Sequence, residues 1–195
     1  ARCWRIVNRP FDPIYPGNRE WNRYAAQLRF EPTANRDALS HPTWDKIFEH
    51  IGASLTDTIR EDIWCKQNHV LTGADWLKCW VASLFQEPTE HLTYLFLYGS
   101  QDSGKSIFHE ALELLVTCGV ERSDTALTNN QGFNAEIEKA VLCVVEETNL
   151  QENKTAYNRI KDWVTSRRVM VHRKNQTPYS ILNTTHWVQC SNEQT

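Results

Sequence analysis

Apolar positions recur at helical spacing three times before residue 90. Trp44, Ile47, Phe48 and Ile51 share one face of a helix with Pro42 at its start and Gly52 just past its end. A second helix is predicted over residues 57–67, with Ile59, Ile63 and Trp64 on one side. Thr72-Gly73-Ala74-Asp75 resembles a capping box, and Trp76, Leu77, Trp80, Val81 and Leu84 form the stripe of a third helix that stops before Pro88. Stripes at this spacing are core faces rather than ligand platforms, so residues 36–90 read as a helical subdomain. Residues 1–35 are rich in Arg, Asn and Pro with scattered aromatics. They read as an irregular lead-in or a linker from an upstream domain.

From residue 92 the pattern alternates between strand and helix. A strand is predicted over residues 92–98 and a helix from there to near Gly119. A short strand follows around 125–128, then a helix over 134–139. Val141-Leu142-Cys143-Val144-Val145 is a continuous apolar run, the mark of a strand buried on both faces. A helix over 155–165 comes next. Residues 169–172 and 179–182 form the arms of a hairpin around Arg173-Lys174-Asn175-Gln176-Thr177-Pro178, and a last strand over 186–191 ends at Asn192. Such alternation predicts an α/β fold, a parallel sheet covered by helices, over residues 91–195.

Between the first strand and its helix lies Gly99-Ser100-Gln101-Asp102-Ser103-Gly104-Lys105-Ser106, a complete G-x-x-x-x-G-K-[ST] loop in strand–loop–helix context. Glycines let the backbone turn its N–H groups toward phosphate oxygens, Lys105 reaches the β- and γ-phosphates, and Ser106 offers its hydroxyl to Mg²⁺. The helix N-terminus adds positive potential toward the same anion. The loop predicts a nucleoside triphosphate ligand on a P-loop NTPase fold of the AAA+-like kind.

The buried run at 141–145 ends in Glu146-Glu147, which puts two carboxylates at a strand's C-terminal tip, where phosphates lie in such sheets. One carboxylate holds the metal shell and its neighbour orients and deprotonates the attacking water. Glu146 is assigned to Mg²⁺ and Glu147 to the base, though the pair admits the reverse assignment. Asn192 closes the last strand, either as a turn residue or as an amide that senses the γ-phosphate.

Composition narrows the setting. The chain has 195 residues, 41% hydrophobic and 23% charged, with no apolar run near the length of a membrane span. Its six cysteines form no metal-ligand spacing, and Cys65, Cys79, Cys118, Cys143 and Cys190 sit in apolar contexts as reduced packing residues of a cytoplasmic protein. The first residue is not Met, and the chain reads as a segment of a longer protein. Net charge is −3, yet residues 154–174 carry seven Lys or Arg against Asp162 alone, a local +6 that leaves −9 for the rest. That concentration is either a solvated helix face or a basic surface.

The order of these features resembles the superfamily 3 helicases, most closely the poxvirus-type and the phage or plasmid primase–helicases. The segments that carry the likeness are residues 80–88, Phe133-Asn134-Ala135-Glu136-Ile137-Glu138-Lys139-Ala140, Ile160-Lys161-Asp162-Trp163-Val164-Thr165 and Val171-His172-Arg173-Lys174, together with the loop, the acidic pair and Asn192. The likeness spans residues 70–195 and extends faintly to 36–70. It implies an ATP-driven motor in viral, phage or mobile-element replication, a hexameric ring in the full-length parent, moving on single-stranded DNA. On this resemblance Lys105, Glu147 and Asn192 are catalytic, and residues 99–106 bind ATP. Ser106 and Glu146 hold Mg²⁺, and His172, Arg173 and Lys174 grip DNA phosphates. The family's arginine finger follows the sensor strand, where only Glu193-Gln194-Thr195 remain. Weak turnover and a monomer are therefore expected of this segment. A small-molecule P-loop kinase, with Arg167 and Arg168 imitating a lid, and a nucleotide-gated DNA-binding module without turnover are the alternatives.

Overall fold

The computed structural model describes residues 4–32, 40–146 and 148–192; Glu147 lies outside them. The chain divides into two compact units, one of residues up to Arg29 together with those from Glu87 onward, the other spanning Phe30–Gln86.

In the second unit, helix α1 (Pro42–Gly52) packs against α4 (Gly73–Gln86), and a 3-10 turn with α2 (Thr56–Glu61) and α3 (Ile63–Gln67) lies between them in sequence. The predicted second helix is broken. Asp62 is extended, with ψ 131, and its carboxylate caps α3 by accepting the Cys65 N–H at 2.8 Å. The break turns Ile63 and Trp64 outward, to 72% and 58% exposure, so only Ile59 of the predicted trio is buried. The capping box forms as its residues predict: Thr72 N–H donates to Asp75 Oδ2 at 3.0 Å, and Asp75 N–H donates to Thr72 Oγ1 at 3.1 Å. Leu77, Trp80, Val81 and Leu84 of α4 are buried, whereas Cys79 is exposed rather than packed.

The first unit is α/β. Strands β3 (Leu95–Tyr98), β4 (Val120–Arg122), β5 (Leu142–Val145) and β8 (His186–Ser191) make a parallel sheet in the order β3-β8-β5-β4. Central β5 is buried at all four positions, as its unbroken apolar run requires. Cys143, Val145 and Trp187 join a core with Leu127, Ile137, Ile160 and Val169 on one face. Alternation sends Leu142, Val144 and Val188 to the other face. There α5 (Lys105–Leu115), with Phe108 and Leu112 buried, packs on β4 and β8.

Two predictions within this unit are corrected. Residues 125–128 belong to helix α6 (Asp124–Thr128), not a strand, and the strand lies just before it as β4. The Arg159 guanidinium holds α6 in place by donating to the carbonyls of Ala126, Leu127 and Asn129 at 3.0, 2.9 and 2.6 Å. Helix α5 stops at Leu115 because Val116 turns extended and bridges to Leu28.

Residues 4–29 are stitched into this unit. Short strands β1 (Arg5–Ile6) and β2 (Glu20–Trp21) pair in parallel. Asn22, 1% exposed, accepts the Arg9 N–H at 2.8 Å and donates to the Arg9 carbonyl at 2.7 Å. Helix α7 (Lys154–Thr165) starts at an Asn153 cap, and β6 (Arg168–Val171) and β7 (Tyr179–Leu182) form the predicted antiparallel hairpin.

Candidate functional site

All four sheet strands run the same way, so their C-terminal ends meet along one edge. β3 delivers the glycine-rich loop there, β5 delivers Glu146 and β8 delivers Asn192. Because β8 lies between β3 and β5, Asn192 stands between the loop and the acid. Gly104 takes φ +84, a left-handed turn open to glycine, and passes the chain directly into α5 at Lys105.

A cavity of about 500 Å³ opens at this edge, lined by residues 101–107 together with Glu110, Glu146, Cys190 and Asn192. Lys105 Nζ spans it. The ammonium donates to the carbonyls of Gly99 and Ser100 at 2.9 and 2.7 Å, to Ser103 Oγ at 3.3 Å and to Asn192 Oδ1 at 2.9 Å. These partners are neutral dipoles, weaker acceptors for an ammonium than a charged phosphate oxygen. Burial pushes the Cys190 thiol up to about 11, aided by the charge of Glu146, so it lines the cavity as a neutral group.

Three groups fix Glu146, whose side chain is 17% exposed. Ser106 Oγ donates to Oε1 at 3.1 Å, His109 Nε2–H donates to the same oxygen at 3.0 Å, and Arg122 pairs with Oε2 at 2.9 Å. Since a carboxylate only accepts, Ser106 gives its proton to Glu146 and keeps its lone pairs for a cation. A hydroxyl and a carboxylate are hard oxygen donors that suit Mg²⁺, which takes few protein ligands beside phosphates and water. Among the described residues no cluster of three or more His, Cys, Asp or Glu is arranged to hold a metal by itself.

His109, Arg122 and Asp124 are absent from the sequence reading. His109 stands one turn beyond Ser106 on α5, so its i+3 spacing was a usable signal. Arg122 and Asp124 were hidden by the misplaced strand. Asp124 holds Glu146 and Thr148: Oδ2 accepts the Glu146 N–H at 3.3 Å, and Oδ1 accepts the Thr148 N–H and hydroxyl at 2.8 and 2.7 Å.

The hairpin residues lie apart from this cavity. His172 packs edge-on against Phe133, with ring centroids 4.8 Å apart, and its N–H donates to Asn134 Oδ1 at 2.7 Å. Arg173 pairs with buried Glu138, which also accepts the Tyr179 hydroxyl. Lys174 is exposed. Of the other cations in the basic segment, Arg159 caps α6 and Arg168 donates to Ser180 Oγ at 2.9 Å. Arg167 and Arg168, which a kinase lid would need, do not line the cavity at the loop.

No curated protein matches the chain. Residues 97–195, half of it, match a profile described as a family of unknown function (DUF5906). The fold is similar to the apo structure of the NrS-1 C terminal region, with TM-score 0.67 and 16% identity over 97% of this chain. It is similar also to an A form apo structure of that region, with TM-score 0.61 and 18% identity. The chain spans less than half of those structures, 43% and 42% of their lengths. No helix among the described residues is long and apolar enough to cross a membrane.

Proposed function

Because this chain belongs to a family whose function is unknown (DUF5906), we propose its activity from the site itself: Mg²⁺-dependent ATP hydrolysis that drives movement along single-stranded DNA, in the manner of a superfamily 3 replicative helicase. The observation that carries the reading is the meeting of Lys105, Ser106, Glu146 and Asn192 around one cavity at the C-terminal edge of the sheet.

The chain's own groups have distinct tasks. The loop N–H groups and the N-terminus of α5 bind the phosphates. Lys105 exchanges its carbonyl partners for β- and γ-phosphate oxygens and keeps the γ-phosphate near Asn192. Ser106 and Glu146 hold Mg²⁺, which when bound neutralises charge on the transferring phosphoryl group. Glu147, the second acid of the pair that ends the buried strand, takes the proton of the attacking water. Asn192 donates its amide N–H to the γ-phosphate and so reports on which nucleotide is present. His172, Arg173 and Lys174 carry the hairpin contact to the DNA backbone, and the full-length parent assembles as a hexameric ring.

The test is ATP turnover with and without single-stranded DNA, in the wild type and in Glu147→Gln. DNA-stimulated turnover that the variant loses is expected. Equal turnover by the variant would sink the assigned base, and failure of the wild type to bind ATP would sink the whole reading.

A further inference from the structure

A second cavity, of about 670 Å³, lies under the hairpin, and four arginines converge on it: Arg5 and Arg9 from the N-terminal segment, Arg168 and Arg173 from β6 and the turn after it. Tyr24 and Tyr179 also line it, and among the described residues Glu138 is its one carboxylate. That acid is already engaged by Arg173 and by the Tyr179 hydroxyl. Arg5 and Arg9 share buried Glu20, with Arg9 at 2.9 Å, yet their side chains stay 71% and 43% exposed. A guanidinium has five N–H donors, and a one-sided pairing leaves others facing the cleft. Residues 4–29 carry five Arg against Asp12 and Glu20, a second basic segment inside an acidic chain.

We propose that this cleft binds the sugar-phosphate backbone of single-stranded DNA, with Arg5, Arg9 and Arg168 as contacts beyond the hairpin tip. The chemistry selects such a ligand. Several guanidiniums along one groove match a row of phosphates. The Tyr179 ring offers a flat surface to unpaired bases, which a duplex keeps stacked inside, while the guanidiniums of Arg23 and Arg173 already lie over the Tyr24 ring, 4.9 and 5.4 Å from its centroid. The two basic segments are far apart in sequence and face each other only once the N-terminal segment docks beneath the hairpin. The inference rests on the DNA reading of the proposed function and adds the residues that hold the strand.

The experiment measures binding of a labelled single-stranded oligothymidylate across a salt series by fluorescence anisotropy, with a duplex for comparison. The variants are Arg168→Ala, whose hydrogen bonds among the described residues go only to Ser180, and the triple change Arg5→Ala, Arg9→Ala, Glu20→Gln. The triple change removes the buried carboxylate's charge together with its partners, and circular dichroism verifies the fold. Each lost phosphate contact should lower the slope of log K against log salt by about 0.7 for a single strand, so the triple variant shifts it about twice as far as Arg168→Ala. Wild-type binding with unchanged slopes in both variants overturns the cleft while leaving the DNA reading intact. A wild type that does not bind the single strand overturns both. Tighter binding of the duplex overturns the cleft's selectivity for single strands.

Discussion

Lys105 shows how much one side chain reveals before any fold is known. Its place in the loop follows from the octapeptide, and the structure adds its link to Asn192 Oδ1 at 2.9 Å. Removing the ammonium deletes charge-assisted contacts to phosphate worth about 1.5–3 kcal/mol. Lys105→Ala is therefore expected to weaken binding of a fluorescent ATP analogue by about 10- to 100-fold, and unchanged affinity would refute the phosphate role. His109 is the opposite case. It is 2% exposed and reads in the sequence as an ordinary helix residue, yet it donates to the carboxylate that Ser106 also uses. His109→Leu should raise the Mg²⁺ concentration needed for half-maximal nucleotide binding by about tenfold, and His109→Gln, which keeps a donor, should recover part of the loss. Equal Mg²⁺ dependence in all three proteins would rule out a positioning role. The position of Glu146 at the end of β5 is legible in the sequence, whereas its Arg122 partner is not, because a pairing between neighbouring strands leaves no mark in local sequence.

At the scale of elements, periodicity located what long apolar stripes and unbroken runs determine: α1, α4, α7, β5 and the β6–β7 hairpin. It failed where a few residues obey a distant partner. Helix α6 is five residues long, too short to stand by propensity, and exists because Arg159 caps its last carbonyls. The break at Asp62 is a local signal that was available, since Asp is a strong N-cap residue, but the apolar spacing across it argued for one continuous helix. The α1–α4 contact depends on glycines whose absent side chains no periodicity reports. A Cβ on Gly73 would lie 1.9 Å from the Gly52 carbonyl oxygen, against backbone that cannot yield cheaply. Gly73→Ala should destabilise the Phe30–Gln86 unit by about 1–3 kcal/mol, as overpacking does elsewhere. Chemical denaturation followed by tryptophan fluorescence measures it, and an unchanged midpoint would contradict the close approach.

For the molecule as a whole, stability of the first unit is tied to buried groups of its sheet. His186 on β8 is 2% exposed, with Nδ1 3.0 Å from the Val141 carbonyl oxygen and Nε2 2.9 Å from that of Glu90. Burial pulls its imidazole below the usual value of 6.5, outweighing the two carbonyls that favour the charged form. The unfolded chain therefore takes up this proton first. Stability is complete above the ordinary histidine range and falls as pH drops through it, levelling off once the folded group also protonates. Denaturant midpoints between pH 8 and 5 should follow that fall, about as ordinary histidines titrate, and His186→Gln should flatten it. On the proposed reading, nucleotide binds the same unit. At a hundred times its dissociation constant it should add about 2.7 kcal/mol, seen as slower hydrogen exchange around residues 99–106 and not within Phe30–Gln86. Equal protection of both units would count against the assigned site. The amino-acid sequence alone determined the glycine-rich strand–loop–helix, the two-faced burial of β5, the acid at its tip and the main helices, because each is written in neighbouring residues. Only the tertiary structure decided that β8 threads between β3 and β5, and that His109 and Arg122 close on Glu146. It alone brought Arg5 and Arg9 opposite Arg168. Lateral strand order and pairing across the sheet are set by how separate elements bury one another, and chain order carries no record of that choice.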